Sequence, residues 1–540
     1  MSNYTLVLVD TTGIQSYIFG SNRLRENVGA SHLVHLATEG WLCSDNPKPL
    51  LGTDNHNLRN GSVIEAMHIE NGLDAELLYA GGGNTVLLFQ SDEFAQQFTR
   101  NLSRKLIEEA PGLDVVAVRQ TVDLTNGSLA QSMKCGFEQM KKHKAGREQS
   151  QPLLGLSVTA ACQSTGLVAN FEQQEPGEDA TGQILISSEV KAKWDINKKA
   201  NERLETQFMA DLPDGYEFPR DFDDLGRSKS DFSYIAVVHA DGNGMGKLLQ
   251  SIIKKYETQS GTDANRKLIR EVRHFSKSAN AAGSTALSAV IKEVADWNEM
   301  RRQADETNAR KKKNSDRLQL SIRPIVFGGD DVTFVCDGRI GLKAAQIFLD
   351  AFSKQKIPNA AGTEQFGIAA AGVAIVKVHY PFARAYHLSE ALCKNAKNTF
   401  DRQAPALDWH LAQSGLFGDL SEIRRREYNE QCNDKGEVTA SLLMRPVTVG
   451  NTLIGKWHTW GNFVKLLTAF QDTEQWPRNK VMQLCEALLN GTDTVETFVA
   501  DYHQLPKINA TDSQHVNKGV SGGRSVYFDA IEMIEQEVWQ

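Results

Sequence analysis

An apolar run that ends in a carboxylate, followed much later by a glycine-rich turn with two more carboxylates, constrains the fold of this chain most. The run, Ser233–Ala240, is rich in residue types that suit a buried strand, and it ends at Asp241. About 90 residues later, residues 328–331 (Gly-Gly-Asp-Asp) separate the apolar runs 318–327 and 332–336. Because glycines allow a sharp turn, this segment predicts a β-hairpin with two aspartates at its tip.

The elements around this hairpin follow a defined order. Apolar residues at helical spacing predict a helix after the first strand, and a second helix is predicted at 340–352. Residues 366–376 then predict a strand, and a helix through Lys397 follows. This β-α-β-β-α-β order is that of the ferredoxin-like unit, in which the end of the first strand lies beside the central hairpin. We therefore expect Asp241 to lie close to both aspartates of the turn.

The amino-terminal part of the chain predicts the same order of elements. The predicted strands, hairpin and helices are Tyr4–Val9, Gly29–Leu42, Ser62–Ile69, Tyr79–Phe89, Asp92–Glu109 and Leu113–Val122. Residues 81–84 (Gly-Gly-Gly-Asn) take the place that 328–331 have later. A repeat of this length indicates a divergent internal duplication, with two similar folds that can pack face to face.

The two turns differ in the chemistry that they can support. Glycine has no side chain and asparagine offers only a neutral carbonyl oxygen, so Gly83 and Asn84 cannot hold a hard cation as two carboxylates can. We expect the first unit to be catalytically silent. Its turn, which includes Gly82, leaves room for a base or a phosphate, to which Ser31 on the nearby helix could donate. A tight hairpin without any ligand is an equal alternative.

The three aspartates of the second unit predict a site for divalent cations beside a polyphosphate. Asp241, Asp330 and Asp331 offer hard oxygen ligands that suit two Mg²⁺ or Mn²⁺ ions. Such ions would activate a ribose hydroxyl for attack on an α-phosphate and offset the charge of the departing pyrophosphate. The predicted nucleotide-binding residues of this unit are Gly242, Asn243, Gly244, Met245, Gly246, Lys247, Gly328, Gly329, Lys394 and Lys397.

Composition sets the outer limits. With 540 residues, 41% of them apolar and 23% charged, the chain has the composition of a globular protein, of roughly two to four domains. Seven scattered cysteines, no secretory signal and no apolar run of spanning length predict a reducing, cytoplasmic setting without a membrane. The net charge of −8 argues against a nucleic-acid-binding surface over the whole chain, although a local groove could be basic.

The remaining segments predict connecting and accessory parts. Residues 211–230 combine proline, glycine and charges, which indicates a linker into the second unit. Residues 263–313 predict a mostly helical insertion, and its basic end, 310–313, is more typical of a solvated face than of a phosphate contact. From about Leu407 the chain is predicted to be largely helical.

Several of these motifs resemble one known family. The strand ending in Asp241, the Gly-Gly-Asp-Asp hairpin and the late helix with Lys397 resemble the palm domain of nucleotidyl cyclases and polymerases. Residues 239–247 (His-Ala-Asp-Gly-Asn-Gly-Met-Gly-Lys) resemble specifically the large palm-domain subunit of type III CRISPR effectors. Further segments resemble the first palm of that subunit or the part after its second palm: 10–19, 29–31, 407–410 and 445–446.

The resemblance implies an enzyme that makes cyclic oligoadenylate from ATP as a signal in antiviral defence. It also implies RNA or a CRISPR-type complex as candidate partners, beside nucleoside triphosphates. The family's zinc-binding insert is similar to 161–166, but this segment has only Cys162, so no structural zinc is expected. There is no room before Asp10 for the nuclease domain that often precedes the palms, so we expect a standalone relative without DNA cleavage.

We therefore predict an α+β protein with two ferredoxin-like palm domains, a degenerate zinc-ribbon-like insert and a C-terminal helical domain. The predicted bounds are 1–150 for the first palm, 151–230 for the insert and linker, 231–404 for the second palm and 405–540 for the helical domain. The predicted function is ATP-dependent nucleotidyl transfer that yields a cyclic or short linear oligonucleotide. Two alternatives stay open: a mono- or dinucleotide cyclase of the GGDEF type, and a non-catalytic scaffold subunit of a CRISPR-type ribonucleoprotein.

Overall fold

A computed structural model gives the fold of the chain, which is built on two main β-sheets covered by helices. The first sheet belongs to the amino-terminal part, here called the first unit (residues 3–146), and the second to the middle part, the second unit (residues 234–413). The residues that the structure describes are 3–146, 158–174, 182–225, 234–304, 317–413, 418–433, 438–450, 454, 457–502, 505–508 and 511–537.

The first sheet has four antiparallel strands in the order β2-β3-β1-β4, which is the order of a ferredoxin-like unit. They are β1 (Asn3–Thr12), β2 (Ala75–Gly81), β3 (Asn84–Phe89) and β4 (Asp114–Asp123). β1 is central because its apolar run is buried on both faces: Leu6 and Leu8 pack into one cluster, and Val7 and Val9 into another.

Helices flank this sheet, and one predicted strand is wrong. The main helices are α1 (Ile14–Phe19), α2 (Leu24–His35), α3 (Asp92–Glu109) and α4 (Leu129–Gly146).

In the predicted strand Ser62–Ile69, only Ser62–Val63 is extended, and it pairs with Leu58–Arg59. The second strand of the sheet is β2. Its Glu76 is fully buried and accepts hydrogen bonds from arginines of a distant helix, so this charged residue does not indicate a solvent-exposed strand.

Along the chain, a small unit around Cys162 lies between the segments that form the two sheets. It contains the hairpin Phe171–Gln174 with Gln183–Ile186, and the helices α5 (Ser188–Asp195) and α6 (Asn197–Gln207). Cys162 is buried in a cluster with Ile184, Ile186, Val190 and Trp194. Burial acts to raise the pKa of the Cys162 thiol, but hydrogen bonds from Thr165 and from the backbone of Ser164 and Ser187 outweigh it and lower that pKa. The predicted linker continues through Tyr216–Glu217, and its residues 226–230 lie outside the described residues.

The second sheet has six strands in the order β6-β7-β5-β8-β9-β10, and its first four repeat the order of the first sheet. The strands are β5 (Tyr234–Gly242), β6 (Ile322–Val326), β7 (Asp331–Asp337), β8 (Ala369–Lys377), β9 (Ala406–Leu411) and β10 (Val447–Thr448). The strand predicted at 318–327 is interrupted, because the N–H of Ser321 donates to the side chain of Asn298. Leu318–Gln319 pairs with Tyr216–Glu217 instead.

The helices of the second unit are α7 (Met245–Lys255), α8 (Thr262–Ala304), α9 (Gly341–Phe352) and α10 (Phe382–Thr399). The predicted insertion is thus the single helix α8, with 43 residues. Its arginines reach the first unit, where Arg266 and Arg273 donate to Glu76 at 2.7 and 3.0 Å. The basic run 310–313 lies outside the described residues.

The carboxyl-terminal part is helical after the second sheet. Helix α11 (Leu420–Glu427) lies between β9 and β10, and the helices after β10 are α12 (Trp460–Gln471), α13 (Arg478–Asn490), α14 (Thr492–Tyr502), α15 (Ser513–Lys518) and α16 (Phe528–Glu532). β9 and β10, which follow the predicted boundary at 405, pair within the sheet of the second unit. Asp408 is a charged residue, but it is buried and receives two hydrogen bonds from Arg424.

Within the described ranges, each helix falls short of the length or the apolarity that crossing a membrane requires.

Candidate active site

The end of β5 and the Gly-Gly-Asp-Asp turn meet as the sequence predicts. In the antiparallel pairing of β5 with β7, Asp241 lies opposite Asp331. The N–H of Gly242 donates to the carbonyl of Asp330 at 3.2 Å, which fixes the start of the loop to the turn. The three aspartates are therefore neighbours in space, and this expectation is confirmed.

The turn is shaped by glycine and by the helix beneath it. Gly329 has φ +114°, a backbone conformation that residues with a Cβ rarely adopt. Below it, a Cβ on Gly283 of α8 would lie 1.9 Å from the carbonyl oxygen of Gly329. α8 can approach the turn this closely only because position 283 has no side chain. Arg203 of α6 holds the other end of the turn, since it donates to the carbonyl of Phe327 at 3.3 Å.

The aspartates of the turn are crowded and poorly neutralised. Burial, and then the neighbouring charge of Asp241, raise the pKa of Asp330 to about 7. Burial also raises the pKa of Asp331, although His239 opposes that shift. The nearest His239 nitrogen, Nδ1, is 3.5 Å from Asp331 Oδ1. That oxygen is buried and accepts no hydrogen bond from the described part of the chain.

Lys397 is the cation in contact with this cluster. It is 5% exposed, on α10, and its Nζ donates to Asp241 Oδ2 and, at 3.3 Å, to the carbonyl of Gly242. Among the residues that the structure describes, no group of three or more His, Cys, Asp or Glu side chains is arranged to hold a metal ion. In this arrangement the ammonium group of Lys397 partly neutralises Asp241. The oxygen donors themselves suit a hard cation, and the unpartnered Asp331 Oδ1 fits such a ligand.

The predicted phosphate-binding segment is shorter than expected. The N–H of Gly242 is donated to Asp330, and that of Asn243 to the carbonyl of Ile368 at 2.7 Å. These two donors are therefore engaged within the protein. Gly244 precedes α7, and the N–H groups of its first turn, from Met245 onward, have no acceptor in the helix itself.

The two glycine-rich turns face each other across a cavity of about 170 Å³. The lining residues come from the first turn, from the second turn with the start of α7, and from α8: Tyr79, Gly81, Gly82, Asn84, Met245, Gly246, Leu249, Val272, Phe275, Ser276, Ala279, Asn280, Gly329 and Asp330. The two turns lie close together: the Cα of Gly82 is 3.8 Å from the position that a Cβ on Gly329 would take. The two turns thus line one cavity, to which the aspartate cluster contributes Asp330.

Some predicted residues lie apart from this cavity. Ser31 is buried in α2, and Lys247 and Lys394 are exposed. None of these three is among the described residues that line the cavity. Asn84 does line it, and its amide donates to the carbonyl of Gly82 at 3.2 Å.

Sequence reasoning missed two side chains of the site. His239 precedes Asp241 by two residues, so both lie on the same face of β5. This strand periodicity could have placed His239 beside the aspartates from the sequence alone. Asn280 of α8 has its amide between the turns, 3.0 Å and 3.6 Å from the Cβ positions of Gly81 and Gly329. No local signal marks Asn280, because only the packing of α8 brings it to the site.

Comparisons with known proteins bear on the second unit and on the overall fold. Residues 234–406 match the family model of the Cas10/Cmr2 second palm domain. No curated protein matches the chain in sequence.

Solved structures extend the similarity to the fold of the whole chain. A chain from the crystal structure of a Csm1-Csm4 cassette in complex with cA4 has 10% identity and a TM-score of 0.51, and the match covers 99% of this chain and 69% of that one. The Csm1-Csm4 subcomplex of the type III-A CRISPR-Csm interference complex gives the same four values. The cassette in complex with AMPPNP has 13% identity, a TM-score of 0.50 and coverages of 99% and 69%. The predicted resemblance is confirmed: residues 234–406 are similar to the second palm domain of Cas10/Cmr2, in a chain whose fold is similar to that of type III CRISPR subunits.

Proposed function

We propose that the chain is a nucleotidyltransferase that joins ATP into a cyclic or short linear oligoadenylate. The observation that carries this proposal is the meeting of Asp241, Asp330 and Asp331 beside a cavity that the turn of the first unit also lines. Csm1-Csm4 cassettes of similar fold have been crystallised with cA4, pppApA and AMPPNP. These ligands support adenine nucleotides as the class of substrate.

We also propose a domain organisation in which the two sheet units are duplicated palms. The shared strand order supports this division, with the first palm in residues 1–150 and the second from 231 through β9 and β10. Residues 151–230 would be the degenerate zinc-ribbon-like insert and linker. The helices after β10 would be the C-terminal helical domain.

The three aspartates would hold two Mg²⁺ or Mn²⁺ ions. When bound, these ions would lower the pKa of the attacking hydroxyl and offset the charge of the pyrophosphate that leaves. The raised pKa of Asp330, caused by burial and by Asp241, supports this assignment because crowded carboxylates favour a cation among them.

The remaining groups of the second unit would bind and orient the donor nucleotide. Lys397 would exchange its contact with Asp241 for the triphosphate, and the first turn of α7, at Met245 and Gly246, would direct N–H groups at the same phosphates. On the opposite side, Gly82 and Asn84 would orient an acceptor nucleotide. With a second nucleotide across the cavity, this arrangement would favour joining two nucleotides over closing one onto itself.

Partners are proposed on the same basis. The Csm1-Csm4 subcomplex, whose fold is similar, is part of a type III-A CRISPR-Csm interference complex. We expect RNA or a complex of this type to be the partner of the present chain.

Incubation of the purified protein with each nucleoside triphosphate and Mg²⁺ or Mn²⁺, followed by mass spectrometry, tests the proposal. We expect oligoadenylate masses from ATP and a loss of roughly a thousandfold or more in rate for Asp331→Asn. Asp401→Asn, at an exposed turn of the same unit, is the matched control and should keep the wild-type rate. A product of one or two nucleotides only would favour the simpler cyclase. The scaffold alternative is supported if no product forms and RNA co-purifies.

A further inference from the structure

The first unit contains a second copy of most contacts of the candidate active site. At the end of β1, Asp10 lies opposite Asn84, just as Asp241 lies opposite Asp331 in the second unit. The N–H of Thr11 donates to the carbonyl of Gly83 at 3.1 Å, and that of Gly242 to the carbonyl of Asp330 at 3.2 Å. The strand end and the turn are thus joined in the same way in both units.

A lysine completes this correspondence. α4 and α10 both have 18 residues, and Lys144 and Lys397 each come fifteen residues after the first residue of their helix. Lys144 Nζ donates to Asp10 Oδ2 and, at 3.0 Å, to the carbonyl of Thr11. Lys397 Nζ makes the two equivalent contacts with Asp241 and the carbonyl of Gly242.

The two copies differ in charge. The second unit has three carboxylates around one ammonium group, so a polyphosphate would be repelled there unless cations accompany it. In the first unit, Gly83 and Asn84 replace two of the carboxylates, and one carboxylate faces one ammonium group. The Lys144 side chain is also more open to solvent, with 30% exposed against 6% for Lys397. A phosphate group can therefore approach Lys144 without a cation.

We propose that Lys144 binds the triphosphate of the acceptor nucleotide in the first unit, and that this site binds ATP without a divalent cation; this inference rests on the function proposed above. A lysine ammonium group is a compact charge that suits phosphate oxygens. While the site is empty, Asp10 holds the side chain. A triphosphate carries more negative charge than one carboxylate, so it displaces Asp10. The unit lacks the carboxylates needed for cation-assisted transfer, so the bound triphosphate stays intact.

Equilibrium dialysis with a non-hydrolysable ATP analogue in EDTA tests this site without turnover. The wild-type protein should bind about one equivalent in EDTA. Lys144→Met should weaken this binding by roughly tenfold to a hundredfold, as expected for the loss of one charge-assisted contact. Lys142→Met, at an exposed position on the same helix, is the matched control and should behave as the wild type.

The partner of Lys144 gives a second, independent readout. Asp10→Asn removes the carboxylate that competes with phosphate, so binding in EDTA should become roughly threefold to tenfold tighter. If the ion pair only supported the fold, both Lys144→Met and Asp10→Asn would weaken binding. Equal affinity of Lys144→Met and the wild type in EDTA would overturn the inference, and so would weaker binding by Asp10→Asn. Absence of any product from ATP contradicts the proposed function instead, and it is measured separately.

Discussion

Replacing Asp330 by asparagine should make the metal-free protein more stable while it removes the activity. Burial, and then the charge of Asp241, raise the pKa of Asp330 from its ordinary value of 3.8 to about 7. At about 1.4 kcal/mol for each tenfold change in proton affinity, ionisation of this carboxylate costs the folded state at most about 4 kcal/mol. Asparagine has nearly the shape of the protonated acid and carries no charge, so the variant avoids this cost.

The gain in stability should depend on pH in one direction. Well below pH 3.8 the folded and the unfolded protein both carry a protonated Asp330, so the substitution should change stability little. Between pH 3.8 and about 7 the unfolded chain loses this proton and the folded protein keeps it, so the stability of the wild type falls as the pH rises. The advantage of the variant should therefore grow through this window and stay constant above it.

Urea unfolding in EDTA at low and at slightly alkaline pH measures this difference. We expect a gain of roughly 1–4 kcal/mol at the higher pH and a smaller one at the lower pH. Addition of Mg²⁺ should reduce the stability difference between the variant and the wild type, because a cation that binds only the folded wild type stabilises it. A variant that is less stable than the wild type at the higher pH in EDTA would refute the reasoning.

Asp337→Asn provides a control with the opposite sign. Asp337 lies at the end of β7, the strand that begins directly after Asp330; it is 1% exposed and receives a hydrogen bond of 2.9 Å from Arg339. Its replacement leaves a guanidinium group without its carboxylate, so this variant should lose stability under the same conditions. The contrast separates a strained carboxylate from a paired one.

Four further outcomes follow from the site. Excess EDTA should abolish product formation while circular dichroism shows that the protein stays folded, because the cations are needed for chemistry and not for folding. Asn84→Ala should raise the KM for ATP by no more than about tenfold and keep the same metal dependence in steady-state assays, as expected when one uncharged hydrogen bond is lost. Gly283→Ala should lower kcat by roughly a hundredfold, because its Cβ would lie 1.9 Å from the carbonyl oxygen of Gly329 and displace the turn. Elemental analysis should find well below one zinc per chain, because Cys162 is a single thiol in an apolar cluster.

The central part of the site could be predicted because its signals are local. A β-rich run that ends in Asp241 and a turn with two glycines each specify their own geometry, and the order of elements then brings them together. The pairing of Asp241 with Asp331 in the sheet is the direct result. Lys397 is found by the same logic, as a lysine on the last helix of the unit.

The errors come from charged residues that are neutralised by distant partners. Glu76 interrupts the apolar run of β2 in the sequence, yet it accepts hydrogen bonds from Arg266 and Arg273, about 190 residues away. Asp408 interrupts the apolar run of β9 in the same way, and Arg424 neutralises it there. Local patterns treat a charge as a sign of solvent exposure, whereas a buried strand can contain one when its partner arrives from elsewhere in the fold.

The helix α8 shows why the site depends on a segment that the sequence presents as an insertion. Near its start, Arg266 and Arg273 bind the buried Glu76 of the first unit, and near its middle Gly283 lies against the turn of the second. One rigid helix therefore fixes the separation of the two glycine-rich turns, with Asn280 between them. Removal of a carboxylate partner from a buried arginine is strongly destabilising, so this attachment resists loosening. If the two units act on two nucleotides, the distance between donor and acceptor is then set by α8 rather than by either sheet.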